Sequence, residues 1–281
     1  EVLYEGFGVP GRVTGGFTVV IVGVVILGGI GRIATVASRL VPAMCVIYLF
    51  MAITIIVMNI TEVPGVLAQI VGDAFTGTAA TGGAAGITWI VVFQTGIKRA
   101  AFSNEAGLGT APMAHGAAKT DEPVREGLVA MLGPFIDTIV VCSLTAIVVL
   151  LDGQWRGEGV RGAGLTAQAF AGAMGQFGAV ALMVVVVMFA LTTMFGYSYY
   201  GRKCFSYLFG AEYARIYDGI YLVGLFIGAI WSADMVVNLL DTGFAMMAFP
   251  NLLATALLAP KVMEATRDYF ARFERGETSG Q

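Results

Sequence analysis

A chain of 281 residues that is 57% hydrophobic and only 12% charged, with a mean hydropathy of +0.81, carries roughly half the charge of an ordinary soluble domain. That composition excludes a plain cytosolic enzyme and a disordered protein, and a net charge of −3 leaves no basic footprint for nucleic acid. The 38 glycines, set in so apolar a chain, point to close helix packing and interrupted helices in a bilayer.

A bilayer core takes about 20 apolar residues per helix, and seven stretches qualify. The first runs from about Val13 to Ile30 and the second from about Val36 to Ile60. Between the second and third, Val63 to Phe75 is a short apolar piece suited to the interface. The third is broken: Thr88 to Thr95 is apolar, then a polar, Gly-rich stretch reaches His115. The fourth covers Val129 to Leu151, a polar loop follows from Asp152 to Gly164, and the fifth covers Phe177 to Tyr200. The sixth, Ile220 to Trp231, has weak edges; the seventh runs from Val236 to Leu258 and leads into a charged tail from Lys261. Pro42 and Pro250 should kink their helices. The cysteines Cys45, Cys142 and Cys204 lie in or near apolar runs and read as packing residues.

Lysine and arginine give the orientation. Eleven fall on one side of these spans and three on the other, with Lys98 and Arg99 left inside the broken segment. The bias puts the C-terminal tail in the cytoplasm and Glu1 outside. The first residue is Glu1, with no initiating Met and no signal peptide, so the expectation is an N-terminally truncated chain.

The broken segment is the most informative. It reads Gln94-Thr-Gly-Ile-Lys-Arg-Ala-Ala-Phe-Ser-Asn-Glu-Ala-Gly-Leu-Gly-Thr-Ala-Pro-Met-Ala-His115, with Thr81-Gly-Gly-Ala-Ala-Gly86 upstream. A lipid-facing helix would not hold Lys98, Arg99, Asn104 and Glu105 together, and irregular backbone at membrane depth survives only beside protein or a water-filled cavity. Gly107 and Gly109 allow the chain to unwind. Unwound backbone supplies carbonyls for a cation and amides for a carboxylate, the chemistry needed for an amino-acid zwitterion with Na+. The competing reading is a cytoplasmic loop between two ordinary helices.

Other polar groups are less decisive. Thr192 and Thr193 on the fifth span are good oxygen ligands for Na+, but helix-to-helix hydrogen bonding is the plainer role from pattern alone. Asp137, between apolar neighbours on the fourth span, is either a cation ligand or a structural partner of Lys98 or Arg99. Glu105 could fix the unwound segment by pairing with Lys98 or Arg99. Asp234 and Asp241 read as interfacial, and His115 as a residue of the cytoplasmic mouth. No catalytic set, Walker A pattern or Rossmann fingerprint is visible, so no enzyme and no cofactor are expected. Asn59-Ile-Thr61 matches a glycosylation sequon, a short motif of little weight.

Gly96-Ile-Lys-Arg-Ala-Ala-Phe-Ser-Asn-Glu-Ala-Gly-Leu-Gly-Thr-Ala-Pro112 resembles the signature of the alanine or glycine:cation symporters, the sodium:alanine symporter family. The likeness continues through Thr120 to Val129, Phe135 to Cys142, Thr192 to Gly201 and Ala248 to Leu252, so it covers essentially the whole chain. It implies an all-α polytopic membrane protein with a leucine-transporter-like inverted-repeat bundle. The seven spans would be core helices four to ten: residues 13–60 the last two helices of the first repeat, 84–260 the second repeat and 261–281 a cytoplasmic tail. The implied function is sodium-coupled symport of alanine or glycine across the plasma (inner) membrane, with Na+ as coupling ion, the bilayer as surroundings, and no nucleic acid or identifiable protein partner. Phe102, Ser103, Asn104 and Gly107 would line the substrate pocket, with the substrate carboxylate held mainly by the first core helix. Thr192, Thr193 and Asp137 would bind the cation, and Glu105 and Gly109 would shape the unwound helix. Two positions depart from the family pattern: Phe244 where a polar residue is usual, and Val237 where a Trp is often found. Rival readings are a non-transporting membrane subunit, a proton-coupled amino-acid carrier and an ion channel.

Overall fold

The computed structural model describes residues 8–75, 85–156 and 162–277. All regular structure among them is helical. In chain order the helices are α1 (Gly11–Ile26), α2 (Gly29–Met58), α3 (Val63–Phe75), α4 (Ala85–Ser103), α5 (Thr110–His115), α6 (Pro123–Ala130), α7 (Ser143–Asp152), α8 (Ala163–Phe209), α9 (Ala214–Ile230) and α10 (Ala233–Glu274). A short turn at Leu132–Pro134 and a π-helical stretch at Phe135–Cys142 join α6 to α7.

Five stretches are long and apolar enough to cross a membrane: Gly29–Met58, Pro123–Asp152, Ala163–Phe209, Ala211–Ile230 and Ala233–Glu274. They cover five of the seven runs read from hydropathy. The first run is instead a 16-residue helix, α1, about 24 Å long at 1.5 Å per residue, which ends at Ile26 rather than Ile30. The third run is α4 followed by an interruption and α5. The Gly-rich stretch upstream, Thr81 to Gly86, lies mostly outside the described residues. Large apolar side chains such as Phe17, Val24, Phe50, Val57, Phe249 and Leu257 stand exposed along these helices, as lipid-facing residues do.

The two prolines expected to kink their helices lie inside continuous ones. Pro42 lies within α2, and Pro250 and Pro260 within α10, which stays helical into the charged tail as far as Glu274. Each proline removes one N–H and one intrahelical bond, and the remaining ladder carries the helix on. Pro134 acts where the ladder does change: it cannot donate to the Ala130 carbonyl, and α6 ends at Ala130. The fifth span begins earlier than its apolar run, because α8 contains a helical arm from Ala163 that is interrupted at Gly175 (φ 62°, ψ −152°). The sixth likewise starts at Ala214 rather than Ile220.

The described chain divides into two compact units. One comprises Glu1–Val91 and Val141–Val236, the other Val92–Val140 and Val237–Gln281. In the first, α1 packs mainly on α9 and α2 mainly on α8. Its core has two clusters. One joins Met44, Tyr48, Met51 and Ile55 of α2 with Val148 of α7 and Phe170, Leu182 and Val185 of α8. The other joins Val22 and Ile26 of α1, Ile33 of α2 and Phe195 of α8. The α1–α9 crossing is close because it is lined by small residues: a Cβ on Gly11 would stand 2.6 Å from the Ala229 carbonyl oxygen, and one on Gly15 would stand 2.8 Å from the Ala229 Cβ.

The second unit is tied by polar contacts. Thr120 Oγ1 accepts from the Glu122 N–H at 3.2 Å just before Pro123 opens α6 at a position where a missing N–H costs nothing. The Arg272 guanidinium near the end of α10 grips the Glu122 carboxylate with two bonds, at 2.6 and 3.0 Å. His115 Nδ1 lies 2.7 Å from Glu126 Oε1.

Two expected outcomes follow. Gly15→Leu should lower stability by about 1–3 kcal/mol through overpacking, read as thermal unfolding in detergent, while Gly16→Leu, with open space around its Cβ, should be silent. The Arg272 hydrogen bonds hold the Glu122 carboxyl below its usual value. A depressed acid pKa contributes stability above the unfolded value and loses it as pH falls through the folded one. The α10 end should therefore stay tethered at neutral pH and release only below the ordinary Glu range near 4.5. Spin labels near Glu122 and Arg272 should move apart under acid, and Glu122→Gln should weaken the tether at neutral pH and remove its acid response.

Candidate functional site

The third apolar run ends in a break, as its composition suggested. α4 stops at Ser103, and three of the next six residues adopt left-handed backbone: Glu105 (φ 52°), Gly107 (φ 76°) and Gly109 (φ 84°). Helical bonding resumes only at Thr110. Glycine takes that conformation freely, but a glutamate does so only where its surroundings enforce it.

Those surroundings come from two elements of the same unit. The π-helical stretch contributes Asp137 and Thr138. The Ser103 hydroxyl donates to the Asp137 carboxylate, and the Thr138 hydroxyl donates to Asn104 Oδ1 at 2.9 Å. A π turn widens the helix and shifts its register, a device found often at functional sites. α10 contributes the rest. The Phe102 ring meets Phe244 edge-on, with centroids 5.4 Å apart. Gly109 lies so close to Asn251 that a Cβ there would stand 3.1 Å from Asn251 Oδ1, and one on Gly107 would stand 3.4 Å from Leu252. Lys98 Nζ is 3.8 Å from Asp241. At the head of α5, the Thr110 hydroxyl is buried with no hydrogen-bond partner among the described residues.

The structure thus brings Phe102, Ser103 and Asn104 together with Asp137. Among the described residues it pairs Lys98 with Asp241, where Lys98 or Arg99 was expected beside Glu105 or Asp137. Asp241 is the partner of the largely exposed Lys98. Phe244 is a packing partner of Phe102. Thr138 and Asn251 were not singled out by sequence reasoning. The signal for Thr138 was its place beside Asp137; Asn251 gave none beyond its place in a family-like block.

The threonine pair belongs to the other unit. On α8, the Thr192 hydroxyl donates to the carbonyls of Met188 and Phe189, at 3.0 and 2.9 Å, bonds within its own helix rather than the helix-to-helix bonds that pattern alone favoured. Its oxygen lone pairs remain able to accept or to ligate. Thr193 is exposed. No cluster of three or more His, Cys, Asp or Glu suited to a metal ion occurs among the described residues. A Na+ site built on hydroxyl, amide and carbonyl oxygens would not take that form.

The available chemistry is coherent. Asn104 presents amide N–H donors and Asp137 a carboxylate, and the backbone from Asn104 to Gly109 leaves the helical ladder, all beside the Phe102–Phe244 pair. Gly109→Ala should cost roughly 1–2 kcal/mol, the penalty for a left-handed L-residue, with an added clash against Asn251. Glu105→Gly should be neutral or stabilising. Thermal unfolding of the two variants side by side checks the left-handed geometry.

Comparison with known proteins places this arrangement. Residues 1–281 match the sodium:alanine symporter family. The sodium/alanine symporter AgcS of Methanococcus maripaludis is 39% identical over 274 residues, covering 96% of this chain and 59% of that protein. The sodium/proton-dependent alanine carrier protein of Bacillus sp. (strain PS3) is 33% identical over 293 residues, covering 97% and 64%. A relative from Bacillus subtilis named as the probable sodium/glutamine symporter GlnT is 32% identical over 274 residues, covering 97% and 56%. The chain spans less than two thirds of the length of each. With the broken span in place and the match running from end to end, the chain belongs to the sodium:alanine symporter family.

Proposed function

We propose that this protein is a secondary active transporter that carries a small neutral amino acid, alanine or glycine, inward across the plasma membrane together with Na+. The observation that carries the reading is the interruption after Ser103. Three left-handed residues sit in an apolar chain, and polar partners from the π turn bond Ser103 and Asn104 just before them. An ordinary loop needs no Asp137 and no buried Thr110 hydroxyl beside it. The alanine named in two of the relatives above supports the substrate class.

In this reading Phe102 is an apolar lid, Ser103, Asn104 and Gly107 form one wall of the pocket, and Glu105 and Gly109 hold the break open. Thr192 and Thr193 offer hydroxyl oxygens to Na+ in the first unit, and Asp137 is a candidate cation ligand beside the break in the second. Selection against larger side chains comes from volume, worth about 1–3 kcal/mol per methylene. Coupling requires Na+ and substrate to favour the same state, each raising the other's affinity equally. Residues 13–60 supply the last two helices of a first repeat and 84–260 the second repeat of a leucine-transporter-like bundle. The Lys and Arg bias supports a cytoplasmic tail at 261–281.

A proton in place of Na+ is the second reading, favoured by the sodium/proton-dependent name of one relative. Counterflow of labelled alanine in proteoliposomes separates the two. The expected result is exchange that needs Na+ and persists without a pH gradient, falls at least tenfold in Asn104→Ala and Thr193→Ala, and is not competed by glutamine. Full Na+-dependent counterflow in both variants would remove the site assignments, and exchange driven by a proton gradient in choline would replace the coupling ion.

A further inference from the structure

Within the first unit, one end of the helix bundle holds a cavity of about 430 Å³ that the transport reading does not use. It opens where α1 and α8 end and where α2 and α9 begin. Its size falls within the ~300–1,000 Å³ common for small-molecule sites. Its inner wall is apolar, with Ile26 and Ile33 buried, and Ile30 stands half exposed at its edge.

The polar part is cationic and held in place. Asp218 is buried, 2% exposed, and binds Arg202 Nη1 at 3.2 Å. One carboxylate cannot occupy the five N–H donors of a guanidinium, so the pair fixes Arg202 while leaving donors for a ligand. Lys203 Nζ sits over the Tyr199 ring, 5.6 Å from its centroid. Ser206 adds a hydroxyl. Two cations against one carboxylate leave a positive charge in excess along a largely apolar wall. Around this end Leu27, Tyr207, Leu208 and Phe209 are exposed, the surface a lipid chain covers.

We infer that this cavity binds the phosphate headgroup of an anionic phospholipid, with Arg202 and Lys203 on the phosphate and the isoleucine wall against the glycerol and upper acyl chain. An inorganic anion would lose water against Ile26 and Ile33 with nothing apolar to offer in return. An amphiphile satisfies both halves of the cavity at once. Basic pockets between the ends of membrane helices take such headgroups.

The test is thermal stabilisation of the purified protein in detergent by titrated phosphatidylglycerol, with phosphatidylcholine and soluble glycerol phosphate as separate arms. Arg202 is left intact, because removing it would strand the buried Asp218. Phosphatidylglycerol should stabilise the protein well beyond phosphatidylcholine. Lys203→Gln should weaken its apparent affinity about fivefold, one surface cation's contribution. Ile30→Trp, which fills the cavity edge, should weaken it further with the charges unchanged. Equal effects of the two lipids, or full phosphatidylglycerol affinity in both variants, would overturn the inference. Stabilisation by glycerol phosphate alone would overturn the lipid and leave a soluble phosphate ester as the ligand. None of these outcomes depends on uptake, so failure here and failure of the transport reading are distinguishable.

Discussion

Everything in this chain turns on the demand that backbone N–H and C=O groups kept from water find partners. Helices meet it at no cost along most of the sequence. Between Ser103 and Thr110 the chain gives up that solution and holds left-handed backbone at Glu105, Gly107 and Gly109. A segment so arranged persists only because other elements occupy its flanks. Asp137 and Thr138 reach it from a π turn, and Phe244, Asn251 and Leu252 reach it from α10. Freed backbone and convergent polar side chains are what a zwitterion and a cation can exploit.

The two units show different ways of holding helices in a bilayer. The first uses interlocked aliphatic and aromatic side chains and a glycine-lined crossing of α1 on α9. The second has few buried apolar residues and depends on named polar pairs: Ser103 with Asp137, Thr138 with Asn104, Glu122 with Arg272 and His115 with Glu126. In lipid, apolar burial gives little preference between helix and acyl chain, so close packing and hydrogen bonds decide. Polar pairs can also exchange partners, which suits a unit that contains the broken helix.

How far the sequence was legible follows the same physics. Local signals read well. Hydropathy located most spans, and the clash of Lys98, Arg99, Asn104 and Glu105 with an apolar setting located the break to within a few residues. Glycine content foretold close crossings, found at Gly11 and Gly15. Long-range pairing did not read. Lys98 has several carboxylates it could meet, and only the fold selects Asp241, far along the chain on α10. The π turn left no periodicity to detect, because it is eight residues long and apolar on both sides of Asp137 and Thr138. Pro42 and Pro250 sit inside helices that continue past them, where loss of one bond is absorbed by a long ladder. The role of Thr192 and Thr193 stays a matter of chemistry: the hydrogen bonds of Thr192 are local, while its capacity to ligate is not visible in a donor count.

The central claim is that the interruption after Ser103 is where substrate and Na+ meet. The most direct measurement is thiol alkylation of Ala106→Cys, an exposed position inside the interruption, with Cys45, Cys142 and Cys204 first replaced. The account requires alkylation to slow when alanine and Na+ are present together, and to slow far less with either alone. An unchanged rate under all conditions would contradict it, because a substrate that binds elsewhere leaves this backbone open.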